Sequence, residues 1–248
     1  MTTEYAKYQR VYAIGDIHGR SDLLDRMVQE IERDFASTPV ESCLTVTLGD
    51  YVDRGPDSQG VLERLSHNPF PTPYVALKGN HEELFEAFLD DVSDGKHWLK
   101  LGGLQTLQSY GVPVNSRSAR GEFKAAALAL RAAVSPGQLR FLASLRPSLE
   151  LERHFLCHAG IRPGVPFELQ NQADLLWIRH EFLESQLDFG KIVVHGHTPV
   201  DQPEILPNRM NIDTAAFATG RLTCVVLEGT SHRFLTTKNT PAKRIFRF

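Results

Sequence analysis

The chain has 248 residues, 42% hydrophobic and 23% charged, with a formal net charge of -3 at pH 7. That length and composition suit one domain, residues 1–248, with a full core. The faint acidity speaks against general nucleic-acid binding, which calls for a strongly basic surface. No segment reaches the roughly 20 apolar residues of a membrane span, and MTTEYAKYQR lacks the apolar run of a signal peptide, so the expected location is the cytoplasm, with no membrane partner.

In chain order, VYAI (11–14) reads as a short buried strand. Residues from Ser21 to about Phe35 then carry Leu24, Val28, Ile31 and Phe35 at helical spacing, with Asp22 and Asp25 in the first turn. CLTVTL (43–48) is a second strand, and a Gly-Pro turn at 55–56 leads to a helix bearing Val61, Leu62 and Leu65. YVAL (74–77) runs into Gly79-Asn80-His81 and a helix whose buried face is expected to be Leu84, Phe85, Phe88 and Leu89. Three such strand-loop-helix units in succession indicate an α/β fold, in which ligands gather at the carboxyl ends of the strands.

From roughly 97 to 146 the pattern turns helical, with an Ala-rich stretch at 125–133 and a new start at Ser135-Pro136. This stretch reads as an insertion flanking the substrate cleft. HFLCHAG (154–160) and KIVVHGHT (191–198) each read as a strand delivering histidines at its end, with MNID (210–213) and RLTCVVLE (221–228) as closing strands. From His232 onward the chain holds Arg233, Lys238, Lys243, Arg244 and Arg247 with no acid, the pattern of a solvated tail. Cys43, Cys157 and Cys224 are odd in number and lack a CxxC pair, so they read as small buried hydrophobes.

Five glycine-flanked blocks carry the chemistry: GDIHG (15–19), GDYVDRG (49–55), GNHE (79–82), HAG (158–160) and HGH (195–197). Asp16, His18, Asp50, Asn80, His158 and His197 offer the oxygen and imidazole ligands that two divalent cations need at one small site. Glycine beside nearly every ligand is expected to let the backbone turn sharply, positive φ permitted, and approach the ion.

These blocks, with HWLKLGG (97–103), LLWIR (175–179) and NIDTAAF (211–217) in order, resemble the phosphoprotein phosphatase family of calcineurin-like metallophosphoesterases. The pattern is most similar to the bacterial and bacteriophage lambda Ser/Thr protein phosphatases, and the similarity covers most of the chain. The resemblance implies a four-layer αββα sandwich with two mixed β-sheets and a helical insertion. It implies one metal held by Asp16, His18 and Asp50, and a second held by Asp50, Asn80, His158 and His197, with Asp50 bridging. Manganese is the first expectation for both ions, with iron, zinc or cobalt as alternatives. The resemblance further implies direct hydrolysis by a hydroxide bridging the ions, with His81 as general acid and Asp53 orienting it. An imidazole near its ordinary pKa suits that task. Arg54 and Arg179, with Asn80, are expected to bind the substrate phosphate, since a guanidinium pairs bidentately with phosphate oxygens. His195 is expected beside the site rather than on the metal, Asp213 either to support the site or to cap a turn, and Trp98 and Trp177 to be structural.

Three functions fit this pattern. The first is a protein phosphatase acting on a phosphorylated protein or peptide. The second is a diadenosine tetraphosphate hydrolase, although members of that related family carry alanine where Asp53 stands and Asp after GNH. The third is a non-catalytic binding module on the same fold, in which ligands or the acid are expected to be lost.

Overall fold

The computed structural model describes residues 8–114 and 120–237. In its first strand, β1 (Arg10–Ile14), every residue is buried, and alternation divides the side chains between two cores. Tyr12 and Ile14 face the helices α1 (Ser21–Ser37), α2 (Ser58–Ser66) and α3 (Asn80–Asp90). Val11 and Ala13 face the second sheet. β1 pairs in parallel with β2 (Cys43–Thr47), and β2 with β3 (Tyr74–Ala76).

The helical insertion follows as α4 (Gly95–Trp98), a π-turn at Leu99–Gly103, α5 (Leu104–Ser109), α6 (Arg120–Ala133) and α7 (Pro136–Ala143). Ser135 caps α7 by accepting the Gln138 N–H at 3.2 Å, while Gln138 Oε1 accepts the Ser135 N–H at 3.1 Å. Phe88 of α3 lies 4.6 Å from Trp98 and 6.4 Å from Phe123, centroid to centroid, so the insertion shares the outer core of the first sheet.

The second sheet contains β4 (Ser148–Glu150), β5 (His154–Cys157), β6 (Ile192–His195), β7 (Glu204–Ile205) and β8 (Arg209–Asn211), in the order β4-β5-β6-β8-β7. Its inner residues Leu156, Val194 and Met210 pack on Leu44, Val46 and Val225 of the first sheet. Its outer residues Phe155, Cys157 and Val193 are covered by α8 (Gln172–Trp177) and α9 (His180–Leu183) through Leu175, Ile178 and Phe182. The chain then forms α10 (Ala216–Thr219) and returns to the first sheet as β9 (Thr223–Glu228) and β10 (Ser231–Thr236), giving the order β10-β9-β1-β2-β3. Both sheets are mixed, and the layers run helix, sheet, sheet, helix.

Three expectations are corrected. The buried stripe of α1 is Leu23, Leu24, Met27 and Ile31, with Val28 and Phe35 only partly covered, because the helix turns Met27 rather than Val28 into the core. Along α3, Phe85 and Phe88 are buried while Leu84 and Leu89 stay at the margin. The segment from His232 is not all tail: β10 pairs along β9, and Arg233 holds Asp34 with two nitrogens, Nη2 at 2.8 Å. Lys238, Lys243, Arg244 and Arg247 lie outside the described residues. All three cysteines are buried and free, as expected. Among the described residues no helix is long and apolar enough to cross a membrane.

Candidate active site

The ends of β1, β2 and β3 converge because their loops hydrogen-bond one another. Ile17 and His18 donate their backbone N–H groups to Asp50 O at 3.1 and 2.8 Å, and Gly19 donates to Tyr51 O at 2.8 Å. Glu82, fully buried at the third position of α3, gathers the next two loops. Its carboxylate accepts N–H groups from Asp50 (2.8 Å), Tyr51 (2.8 Å), Val52 (3.2 Å) and Gly79 (3.0 Å). Burial, and then the nearby Asp50 charge, push the Glu82 carboxyl up to about 8. In the sequence Glu82 closes the GNHE block, where the diadenosine tetraphosphate hydrolases are expected to carry Asp. Its signal was a Glu three residues after the Gly that precedes a helix, half of a capping box.

Sharp turns were expected of the glycines, and Gly19 (φ 59°), Gly49 (φ 105°) and Gly160 (φ 153°) carry them, but several functional side chains turn in the same way. His18 (φ 45°), Asp50 (φ 54°), Asp53 (φ 72°), Arg54 (φ 66°) and His197 (φ 66°) are all left-handed. Non-glycine residues adopt this region at an energetic cost, and such strain clusters at functional sites. Gly79 and Gly196 serve instead for close approach: a Cβ at either would run into the carboxylate of Asp50 or Asp16.

Segments that follow four strands, β2, β3, β5 and β6, bring the ligand atoms of one cluster face to face. Asn80 Oδ1 lies 2.9 Å from both His158 Nε2 and His197 Nδ1, those two nitrogens are 3.2 Å apart, and Asp50 Oδ1 is 3.3 Å from His158 Nε2. His158 Nδ1 faces Leu48 O at 3.0 Å and His18 Nδ1 faces Val52 O at 2.8 Å, so each Nδ1 is the donor and each Nε2 carries the lone pair. His18 Nε2 in turn lies 3.3 Å from Asp50 Oδ2. Burial drives His18 and His158 toward the neutral form, and burial with the neighbouring His158 takes His197 down to about 2. Burial alone would raise Asp50, but His158, His81, His18 and Arg54 outweigh it and hold the carboxyl below its usual range. An anionic carboxylate among neutral imidazoles and an amide oxygen is a donor set for a divalent cation, so these residues fit the metals that the sequence implied.

Two groups of ligand atoms lie within 4.8 Å of one another: Asp50, His158 and His197, and His18, Asp50 and His81. Asp16 belongs to neither group. Its carboxylate accepts the His197 backbone N–H at 3.1 and 3.3 Å, and burial with the charges of Asp213 and Asp50 raises its pKa. His81 stands near the position expected of Asp16, but its Nδ1 is engaged by Asp53 Oδ2 at 2.6 Å. Burial opposes protonation of His81, yet Asp50 and Asp53 outweigh it and the pKa is raised. With Nδ1 donating to Asp53, its Nε2 faces the Arg54 guanidinium, which can only donate, and so presents its lone pair in this structure.

Both arginines reach the site. Arg54 extends Nη1 to His18 Nε2 (2.9 Å) and Nη2 to His81 Nε2 (3.0 Å), with its guanidinium 5.1 Å over the Phe217 ring. Arg179 stands with its backbone at the start of α9 and donates Nε to His197 Nε2 at 3.1 Å. His195 is buried away from the acceptors, between Phe182 and Arg209, and held down to about 3 by burial first and Arg209 second. Asp213 caps a turn, its Oδ1 accepting the Ala215 N–H at 2.8 Å, and its charge raises Asp16. Both tryptophans make side-chain hydrogen bonds close to the site. Trp98 donates to Asp53 Oδ2 at 2.9 Å, and Trp177, 37% exposed, donates to Glu83 at 2.7 Å with its ring 6.3 Å from His197. Phe217 closes the NIDTAAF block without a role of its own in the sequence, and nothing in the local pattern of Thr106 sets it apart from packing residues.

The family pattern of calcineurin-like phosphoesterases matches residues 9–226. The chain is similar to serine/threonine-protein phosphatase 1 of Salmonella typhimurium, 27% identical over 89% of this chain and 93% of that one. It is also similar to an asymmetrical bis(5'-nucleosyl)-tetraphosphatase of Halalkalibacterium halodurans, 28% identical over 86% of this chain and 87% of the other. Among solved structures, that of a putative diadenosine tetraphosphatase superimposes with a TM-score of 0.62 at 20% identity, covering 95% of this chain and 97% of its own, which speaks for the fold alone.

Proposed function

We propose that this chain, which belongs to the calcineurin-like phosphoesterase family, removes phosphate from phosphorylated serine or threonine in a protein or peptide. The observation that carries the reading is the buried pair of His81 Nδ1 and Asp53 Oδ2, 2.6 Å apart. A serine alkoxide is a poor leaving group and needs a proton as it departs, whereas a nucleoside phosphate leaves an anhydride without one. A dedicated acid therefore favours an alcohol ester over a dinucleoside polyphosphate.

Asp16, His18 and Asp50 would hold one divalent ion and Asp50, Asn80, His158 and His197 the other, with His81 kept as the acid because the Asp50 and Asp53 charges favour its protonated form, which has no lone pair for a metal. When bound, the two ions supply Lewis acidity toward the phosphoryl oxygens and lower the pKa of a nearby water. The residues of the chain do the rest. Arg54 and Arg179 bind and orient the phosphate dianion. Water adds its oxygen to phosphorus as the bond to the serine oxygen breaks, and that oxygen takes the proton from His81 Nε2. The proton released by the water restores His81, and the products are inorganic phosphate and a free hydroxyl.

The test is side-by-side hydrolysis of a phosphoserine peptide and diadenosine tetraphosphate by metal-stripped protein with Mn²⁺ restored. Preference for the peptide is expected. Preference for the dinucleotide would move the substrate to the second reading, and inactivity toward both with metal bound would leave a binding module.

A further inference from the structure

Asp53 is gripped by more than His81. Its Oδ1 accepts from Thr106 Oγ1 at 2.6 Å, and its Oδ2 accepts the Trp98 indole N–H at 2.9 Å beside the contact to His81. Its backbone N–H is shared between Ser58 Oγ at 3.0 Å and Thr106 Oγ1 at 2.8 Å. Trp98, Thr106 and Asp53 are all fully buried, so water does not compete for these bonds.

Trp98 and Thr106 lie eight positions apart, and on a regular α-helix that spacing turns two side chains roughly 80° away from each other. Between them the helix is broken by a kink at Gly102, which takes φ 121°, and the kink changes which side chains share a face. Gly102 O accepts the Arg54 N–H at 3.2 Å, and a Cβ on Gly103 would collide with the Trp98 ring. The insertion thus reaches the acid and the phosphate-binding arginine through one distorted turn.

We propose that Trp98 and Thr106 are positioning residues that fix the Asp53 carboxylate, and through it the His81 imidazole, for proton delivery to the departing oxygen. The proposal rests on the reading of His81 as the acid. A carboxylate can swing about its Cβ–Cγ bond. One donor on each oxygen stops that swing and leaves the remaining lone pair of Oδ2 aimed at His81 Nδ1. Loosening it harms only a step that needs the proton.

The experiment compares a phosphoserine peptide with 2,4-dinitrophenyl phosphate, whose phenolate departs unprotonated. His81→Asn, Trp98→Phe, Thr106→Val and Thr106→Ser are measured on both in the Mn²⁺-loaded enzyme. Trp98→Phe and Thr106→Val should each lower kcat on the peptide about 10-fold with little change in KM, the lower end of the effect of supporting partners. Both should stay near wild type on the dinitrophenyl ester, following the selectivity of His81→Asn, and Thr106→Ser should keep the wild-type ratio. Equal loss on both substrates by Trp98→Phe and Thr106→Val, with His81→Asn still selective, would assign the pair a merely structural role and overturn the proposal. A non-selective His81→Asn would overturn the acid reading and the proposal together. Should a variant fold poorly, the indole ¹⁵N–¹H signal of Trp98, one of two tryptophans, decides. Asp53→Asn should shift it and speed its exchange with solvent, and an unmoved signal would sink the proposal.

Discussion

The two sides of the candidate site are built on opposite principles. Around Asn80, His158 and His197, three ligand atoms, Oδ1, Nε2 and Nδ1, crowd within 3.2 Å, and with Arg179 on His197 Nε2 the one hydrogen among them sits on Nδ1. Around Asp53, donor meets acceptor at each side-chain oxygen, from His81, Trp98 and Thr106. The first side is a cluster of lone pairs suited to a cation, and the second is held by bonds within the chain. Metal uptake and proton delivery should therefore be separable by mutation.

The largest break should come from Asp50→Asn, which removes the charge shared by both groups of ligand atoms. Manganese affinity should fall by at least about 100-fold. Added Mn²⁺ should then no longer raise the thermal midpoint, which differential scanning calorimetry with and without metal will check. His81→Asn should break the other side only: the midpoint should still respond to Mn²⁺, while turnover of a phosphoserine peptide drops roughly 10²- to 10⁴-fold. A His81→Asn protein that had lost its metal response would erase the division drawn here.

Glu82→Leu should damage both sides through the backbone. It strands buried N–H groups of Asp50, Tyr51, Val52 and Gly79, each worth about 1–3 kcal/mol when left unpaired. After relaxation and some water entry, a net loss on the order of 3 kcal/mol is expected in urea unfolding. The smallest effect lies away from the site. Burial, with Arg153, His232 and Lys191, pushes the His154 imidazole down to about 4. Its unfolded value is about 6.5, so the unfolded chain takes up the proton first as pH falls. The stabilising contribution is whole above pH 6.5 and is lost toward pH 4, by no more than about 3 kcal/mol. His154→Gln should flatten that part of the pH–stability curve. This separates acid loss of the fold from acid loss of the metal side.

Much of the fold was legible because short apolar strands followed by amphipathic helices leave a local signature, and β1, β2 and β3 each end where a glycine block begins. In the α1 stripe Leu24 and Ile31 were placed on the core and Met27 was passed over for its neighbour Val28, which packs at the edge of the same core. The C-terminal strand was hidden because basic residues read as solvated until Asp34, nearly two hundred residues earlier, comes to meet Arg233.

Residue types in fixed blocks determined which side chains could bind cations, carry a proton or hold phosphate, since those capacities belong to carboxylates, imidazoles and guanidinium groups wherever they stand. Tertiary structure alone decided how each was used. It turned Asp16 toward the His197 backbone and carried Trp98 and Thr106 across a kinked helix to the carboxylate of Asp53. The physical reason is that hydrogen bonds and charge pairs reach only about 3–4 Å, while the residues they join here lie tens of positions apart in the chain.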